Sequence, residues 1–291
     1  MSIEIYQEPE AGGPILRAFR RIPLLLRAVV IGFFVMQFGV TVWQLLARTN
    51  VMTTPALPWS SAAALAFLFA YWKYFGGAGW PRATAETRRL SLRAHPIAPR
   101  AGAWVWIAAL AGLAFTLALH FLSLRFVNLP PEALSLLPRG LDIPPHTLWI
   151  SMVMVAVVAG VCEEAGIRGY LQTPLESRYG VIPAILASSI VFTLMHFNRE
   201  LGVAFAIPIF ISAIWYGALT AAANSIIPMV FVHIALDLAL LGYHDVLNGP
   251  IPAPFAETGA DVSMQINAAV AGVAGVVLIV SIWRAARLTR R

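Results

Sequence analysis

Apolar runs separated by short polar or basic segments recur along the whole chain. A helix that crosses a bilayer needs roughly 20 largely apolar residues, and eight stretches of the sequence approach that length. The pattern therefore predicts an all-α polytopic membrane helix bundle with about eight transmembrane helices. The predicted spans are 28–47, 57–75, 103–124, 147–171, 181–197, 204–223, 226–242 and 265–283.

The composition supports a membrane protein. Hydrophobic residues make up 59% of the 291 residues and charged residues 12%, whereas soluble domains average about 45–50% and about 25%. A soluble globular enzyme, a disordered chain and a secreted disulfide scaffold are therefore excluded. The single cysteine, Cys162, can form neither an intramolecular disulfide nor a cysteine-based zinc cluster.

The distribution of arginine predicts how the chain crosses the membrane. With a cytoplasmic N-terminus, 14 of the 19 arginines fall in cytoplasmic segments and four in external ones. Cytoplasmic loops carry an excess of Lys and Arg, so both termini are expected in the cytoplasm. The external arginines would be Arg48, Arg125, Arg139 and Arg199, and Arg168 lies within a span.

The same pattern predicts the domain organisation and the partners. We expect a cytoplasmic segment at 1–27, a transmembrane domain at 28–283 and a basic cytoplasmic tail at 284–291. The preference for Arg over Lys suggests a GC-rich bacterial genome, and we therefore expect the protein in a bacterial inner membrane. A nucleic acid partner is not expected, because the arginines lie between apolar runs rather than on one polar face. The lipid bilayer is the expected environment.

Ionisable residues inside spans are energetically costly, so each is a candidate for function. Glu163, Glu164 and Arg168 lie in the fourth span. Glu164 and Arg168 share a helix face at a spacing of four residues and can form an ion pair. At 100° per residue, Glu163 points about 140° away from Arg168 and is left without a local partner. The alternative is that all three mark a helix end and reach towards water.

Two further spans each carry a histidine four residues from an aromatic or acidic side chain. His196 lies four residues after Phe192 in the fifth span, and His233 lies four residues before Asp237 in the seventh. An aspartate can orient an imidazole and set its tautomer, although a buried His–Asp pair can also serve only to join helices. His120 and His244 have no such partner in sequence and are interpreted as structural.

These residues favour water activation over nucleophilic catalysis. Cys162 has no assignable base, no serine lies in a recognisable elbow, and the zinc signature HExxH is absent. A carboxylate acting as a general base, assisted by imidazoles, is the remaining chemistry. We therefore expect a catalytic cavity within the membrane.

The order of three motifs on separate spans resembles a known family. Glu163-Glu164-Ala-Gly-Ile-Arg168-Gly169 is followed by Phe192-Thr-Leu-Met-His196 and then by His233-Ile-Ala-Leu-Asp237. This order is similar to that of the CPBP family, the CAAX-protease and bacteriocin-processing intramembrane peptidases, also called the ABI family. The resemblance covers about residues 147–242, a third of the chain.

The resemblance implies a role for each matching residue. Glu163 would be the general base that activates water, and His196 would orient that water. His233 and the residue four positions later would stabilise the oxyanion, while Glu164 and Arg168 would fix the geometry of the fourth span. CAAX-processing members often have Asn where this chain has Asp237. An ionised aspartate cannot donate to an oxyanion. Asp237 is therefore either protonated, or it orients His233, or it indicates a metal site, and we expect it to orient His233.

The cofactor and the substrate follow from the same resemblance. A metal-independent endopeptidase is expected, with a Zn²⁺ site of Glu163, His196 and His233 as the alternative. The expected substrate is a membrane-associated peptide or protein. A proton-coupled transporter and a non-catalytic immunity or scaffold protein remain alternative functions, since buried Glu, His and Asp residues also form proton relays.

Residue counting places the candidate residues at different depths. Glu163 is about 16 residues, or roughly 24 Å, into the fourth span, which is the cytoplasmic half of the bilayer. His196 lies near the external end of the fifth span. A catalytic role for both residues requires them to lie at the same depth in the membrane, and residue counting does not place them so.

Overall fold

The computed structural model describes residues 21–127, 134, 143–197, 202–247 and 249–289. Within these ranges every regular element is helical and no strand occurs, so the predicted all-α class is confirmed. The helices are α1 (Leu24–Thr53), α2 (Trp59–Phe75), α3 (Ala85–Leu92), α4 (Pro99–Ser123), α5 (Pro145–Glu164), α6 (Thr173–Tyr179), α7 (Val181–Met195), α8 (Gly202–Ala223), α9 (Ile227–Leu241), α10 (Phe255–Thr258) and α11 (Val262–Thr289).

Six helical segments of the described chain are long and apolar enough to cross a membrane, which makes this a multi-pass membrane bundle. The other two predicted spans coincide with shorter helices, α2 of 17 residues and α7 of 15 residues. The number of eight spans stays a prediction. The six are Leu24–Thr53, Pro99–Phe126, Pro145–Tyr179, Phe205–Ala223, Ile227–Val246 and Val262–Thr289.

The fourth span is longer than the sequence predicted. It continues beyond residue 171, because a π-helix at Ala165–Gln172 joins α5 to α6 without a break. The continuous helix has 35 residues and ends at Tyr179. Gly180 then has φ +87°, a conformation that residues with a Cβ rarely adopt, and the chain turns there into α7.

This long helix lies at the centre of the bundle. It has the largest buried share of the six candidate spans, 56% of its apolar window against 17% for α11. One core cluster joins it to α1, α2 and α9, and another joins the π-helix to α1, α7 and α8. Cys162 is fully buried in the first of these clusters.

Glycines let neighbouring helices contact the long helix closely. A Cβ placed on Gly160 would lie 3.0 Å from the carbonyl oxygen of Val230 in α9, and one on Gly166 would lie 2.5 Å from that of Gly32 in α1. Both contacts are with backbone atoms, which cannot move aside as a flexible side chain can. The close approach expected of small residues in membrane helices is therefore present.

A buried polar network, which local hydropathy does not indicate, fixes α6. Arg93, at the end of α3, forms an ion pair of 2.9 Å with Glu176, and the Gln172 side chain donates a 2.6 Å hydrogen bond to the same carboxylate. The Arg93 and Glu176 side chains are 9% and 5% exposed. Because the predicted span ended at residue 171, Glu176 was not recognised as a buried charge.

An ion pair joins the end of α4 to the start of α11. Arg125 Nη2 lies 2.8 Å from each carboxylate oxygen of Asp261. Asp261 also accepts a 2.8 Å hydrogen bond from the backbone N–H of Met264, so it caps α11. The Met264 amide and, to a smaller extent, Arg125 lower the pKa of Asp261.

We expect Asp261→Ala to lower the thermal unfolding temperature at neutral pH, because the substitution removes a helix cap and leaves buried Arg125 without this carboxylate. A lowered pKa stabilises the fold above the ordinary carboxyl pKa of 3.8 and loses that effect as the pH falls through the lowered value. The difference between variant and wild type should therefore narrow below pH 3.8. Glu257→Ala, which removes an exposed carboxylate from the same loop, is the control. Equal melting temperatures of Asp261→Ala and wild type at pH 7 would contradict the prediction.

Candidate active site

Glu163 and His196 lie at the same level of the bundle, which corrects the expectation from residue counting. Glu163 is 17 positions before Gly180 and His196 is 16 positions after it. At 1.5 Å per residue the two helix arms place both side chains about 25 Å from the turn. Glu163 Oε2 lies 3.5 Å from His196 Nε2. The counting failed because it ended the fourth span eight residues too early, at 171 rather than at Tyr179.

The Glu163 carboxylate faces two imidazoles that come from different helices. Its Oε2 atom lies 3.5 Å from Nε2 of His196, at the end of α7, and 3.8 Å from Nε2 of His233 in α9. This oxygen is buried and has no hydrogen-bond partner among the described residues. A water molecule donates two hydrogen bonds, so one water could bridge Glu163 Oε2 and one of the two Nε2 atoms.

Glu164 connects Arg168 to His233. Its Oε1 atom accepts a hydrogen bond of 3.3 Å from Arg168 Nη1 and one of 2.9 Å from His233 Nδ1. The ion pair predicted from the spacing of Glu164 and Arg168 is present, with exposures of 0% and 1%. The Arg168 guanidinium also lies over the ring of Phe192, 4.5 Å from its centroid.

Asp237 is not placed to orient His233 as the sequence analysis expected. Its Oδ2 atom lies 3.8 Å from His233 Nε2, which is longer than a hydrogen bond. Glu164 makes the orienting hydrogen bond instead, on the opposite ring nitrogen. The helix spacing of His233 and Asp237 correctly indicated one face, but local spacing carried no information about a carboxylate on another helix.

Both imidazoles present the same ring nitrogen to Glu163. A carboxylate and a carbonyl oxygen only accept, so His233 Nδ1 donates to Glu164 and His196 Nδ1 donates to the carbonyl of Phe192, 2.9 Å in each case. In the neutral rings the Nε2 atoms are then acceptors. Two acceptor nitrogens and a carboxylate oxygen therefore converge, which is an environment for a group that donates hydrogen bonds.

The donor types at this point also match a zinc set of two histidines and one carboxylate. Within the described ranges, however, no three His, Cys, Asp or Glu side chains are placed so that they could hold one metal ion.

A cavity of about 220 Å³ opens beside these groups. It is lined by side chains of α4, the π-helix, α7, α8 and α9. Arg168, His196, His233 and Asp237 line one part of its wall. Glu163 contacts two of these lining residues, and Glu164 lies fully buried behind His233. All six residues singled out in the sequence are thus brought together.

Two features of the cavity had no signal in the sequence. His120 was interpreted as isolated, yet its Nε2 lies 3.1 Å from Nε2 of His244, and its ring lines the cavity. The two histidines are 124 residues apart, so no local spacing could have paired them. Tyr216 of α8 also lines the cavity, within a continuous apolar run that gave it no distinguishing pattern.

Comparison with known proteins gives one match. Residues 145–239 match the family model described as Rce1-like, type II CAAX prenyl endopeptidase Rce1-like. No curated protein and no solved structure matches the chain. The matched segment begins at the first residue of α5 and ends two residues after Asp237, so it contains all six candidate residues.

Proposed function

Because residues 145–239 carry the segment characteristic of the CAAX-protease (CPBP) family, we propose that this protein is an intramembrane endopeptidase in which Glu163 activates water. The family assignment implies an intramembrane endopeptidase of the CAAX type. The proposal adds that Glu163 is the base, that His196 and His233 assist it, and that the reaction requires no metal. Its substrate is a membrane-associated peptide or protein that enters the cavity from the bilayer.

The observation that carries the proposal is the convergence of Glu163 with two imidazoles beside a cavity. Three separate helices supply these side chains, and the Glu163 oxygen lies 3.5 Å and 3.8 Å from the two Nε2 atoms. A buried oxygen without a partner is costly unless a ligand or a water molecule binds it. A general base must lie within hydrogen-bond reach of the proton that it removes, directly or through one water.

The proposed reaction starts with a water molecule held between Glu163 and His196. As the water oxygen attacks the carbonyl carbon of the scissile peptide bond, Glu163 accepts one water proton. The tetrahedral intermediate carries its negative charge on the former carbonyl oxygen. When the C–N bond breaks, protonated Glu163 gives the proton to the leaving nitrogen, and the carboxylate is restored.

The remaining charged residues position the site. Glu164 holds His233 in the tautomer whose Nε2 faces Glu163. If His233 takes up a proton, the Glu164 carboxylate stabilises the imidazolium. Arg168 neutralises Glu164 and fixes its position between two helices. Burial in the bundle strengthens each of these electrostatic interactions relative to water.

A comparison of protein termini in membranes tests the proposed function. Cells that express wild type, Glu163→Gln or Glu86→Gln are compared by N- and C-terminal proteomics. We expect new termini with wild type and with Glu86→Gln, whose carboxylate is exposed and distant in sequence, and their loss with Glu163→Gln. Identical termini in all three, at equal protein levels, would contradict an endopeptidase and favour a transporter or a scaffold.

Metal analysis tests the proposed metal independence. We expect purified, active protein to contain substoichiometric zinc by mass spectrometry, and EDTA to leave its cleavage rate unchanged, because the described donors do not form a three-ligand site. His146→Ala, which removes a histidine from the start of α5 outside the cavity, is a control for adventitious binding. One zinc per chain that is lost in Glu163→Gln together with activity would overturn this part of the proposal.

A further inference from the structure

The cavity-facing side of α8 ends at Tyr216. Ile209, Ser212, Ala213 and Tyr216 line the cavity at helical spacing. The next residue on this face, Leu219, is fully buried. Tyr216 is only 3% exposed, and it is the last residue of α8 in chain order that lines the cavity.

The Tyr216 hydroxyl is buried and has no hydrogen-bond partner among the described residues. Other buried tyrosines of this bundle use their hydroxyls within the fold, as Tyr71 does with a 2.9 Å hydrogen bond to the carbonyl of Val35. An unsatisfied buried hydroxyl costs about 1–3 kcal/mol. A group that occupies the cavity and accepts a hydrogen bond would remove this cost.

The surroundings of Tyr216 place it at the proposed reaction site. The ring lies edge-on to that of His233, with 5.8 Å between centroids, and the Arg168 guanidinium lies 5.2 Å from the ring centroid. The phenol therefore belongs to the charged end of the cavity rather than to its apolar part.

The oxyanion of the proposed reaction needs a hydrogen-bond donor, and the two histidines supply one from Nε2 only when they are protonated. The Nδ1–H of His233 is used by Glu164, and that of His196 by the Phe192 carbonyl. An ionised Asp237 only accepts. A tyrosine hydroxyl remains a neutral donor throughout the reaction.

We infer that the Tyr216 hydroxyl donates a hydrogen bond to the carbonyl oxygen of the scissile peptide bond and to the oxyanion that forms from it. Tyr216 is then a catalytic residue of this enzyme, contributed by a helix that carries none of the three sequence motifs. The inference rests on the proposed function. It adds a donor that is fixed before the substrate enters, which is the condition under which such groups stabilise developing charge.

The test compares Tyr216→Phe with wild type, Glu163→Gln and Tyr71→Phe in proteoliposomes. The probe is an internally quenched peptide built around the first cleavage site whose new termini depend on Glu163 in the proteomic comparison. We expect Tyr216→Phe to lower kcat by about 10²-fold, as the loss of one oxyanion donor does elsewhere, with KM changed less than about threefold. Its melting temperature should not fall, because no hydrogen bond within the fold is lost.

Tyr71→Phe provides the matched control, since it also removes one buried tyrosine hydroxyl. We expect it to lower the melting temperature and to leave kcat near that of wild type, because its hydroxyl bonds only within the described fold. A lower melting temperature of Tyr216→Phe with unchanged kcat would overturn the inference in favour of a structural role. If Tyr216→Phe cleaves at the wild-type rate while Glu163→Gln does not, the inference fails and the proposed function stands. If wild type generates no termini that depend on Glu163, both fail.

Discussion

Glu163→Gln is expected to lower the rate of peptide cleavage by about 10²–10⁴-fold, the usual contribution of a general base. Glutamine has nearly the same shape as glutamate and can still bind water, but its amide cannot accept the water proton. The substitution also leaves the Glu164–Arg168 ion pair in place. We therefore expect a melting temperature equal to or above that of wild type, which separates the loss of chemistry from a loss of fold. Single-turnover cleavage in proteoliposomes is the measurement.

Asp237 is the other carboxylate that could act on water in this cavity. It lines the cavity wall and lies 3.8 Å from His233 Nε2. If Asp237 were the base, Asp237→Asn would lose cleavage by the same large factor and Glu163→Gln would retain it. The proposed mechanism expects the reverse order. A Glu163→Asp variant withdraws the carboxylate by one methylene and should give an intermediate rate, because the base remains but no longer reaches both imidazoles.

The helical positions and the candidate residues could be predicted because they depend on local sequence. Bilayer thickness fixes the length of an apolar run, so all eight predicted spans coincide with helices of the structure. Helical geometry fixes which residues share a face, so the Glu164–Arg168 pair followed from a spacing of four residues. Those two regularities were sufficient for the fold class and for the Glu164–Arg168 pair, while the roles of the six candidate residues stay a prediction.

The depth of the site could not be predicted, because it depends on polar residues whose burial is tertiary. Gln172 and Glu176 interrupt the apolar run after residue 171, and hydropathy alone places them outside the membrane helix. In the fold Gln172 donates to Glu176, Glu176 pairs with Arg93 at the end of α3, and the helix continues. Local hydropathy therefore does not indicate a membrane helix whose polar residues are buried by hydrogen bonds and ion pairs with a distant segment.

Contacts between separate helices likewise could not be predicted from the sequence. Asp237 was assigned to His233 because it is four residues away, whereas His233 donates its hydrogen bond to Glu164, 69 residues distant. The His120–His244 contact and the position of Tyr216 in the cavity wall also depend on contacts between separate helices. Local spacing limits which residues can share a face, but helix packing decides which faces meet.

Glu164→Ala is expected to lower both stability and activity. Glu164 and Arg168 are 0% and 1% exposed, so removal of the carboxylate leaves a buried guanidinium without its counter-charge. Breaking a buried ion pair in this way costs about 3–5 kcal/mol. His233 also loses the acceptor for its Nδ1–H, and the ring is no longer held in the tautomer that faces Glu163. Thermal unfolding in detergent and cleavage in proteoliposomes measure the two effects.

Two further variants separate these effects, because charge and orientation depend on different properties of the side chain. Glu164→Gln keeps an oxygen that can accept from both Arg168 and His233, so it should retain most of the stability while the loss of charge lowers the rate. The double variant Glu164→Ala/Arg168→Met removes both charges, and it should recover stability without recovering activity, since His233 stays unanchored. Recovery of cleavage in the double variant would show that Glu164 acts only by neutralising Arg168. An unchanged melting temperature in Glu164→Ala would mean that the ion pair does not hold the long helix in place.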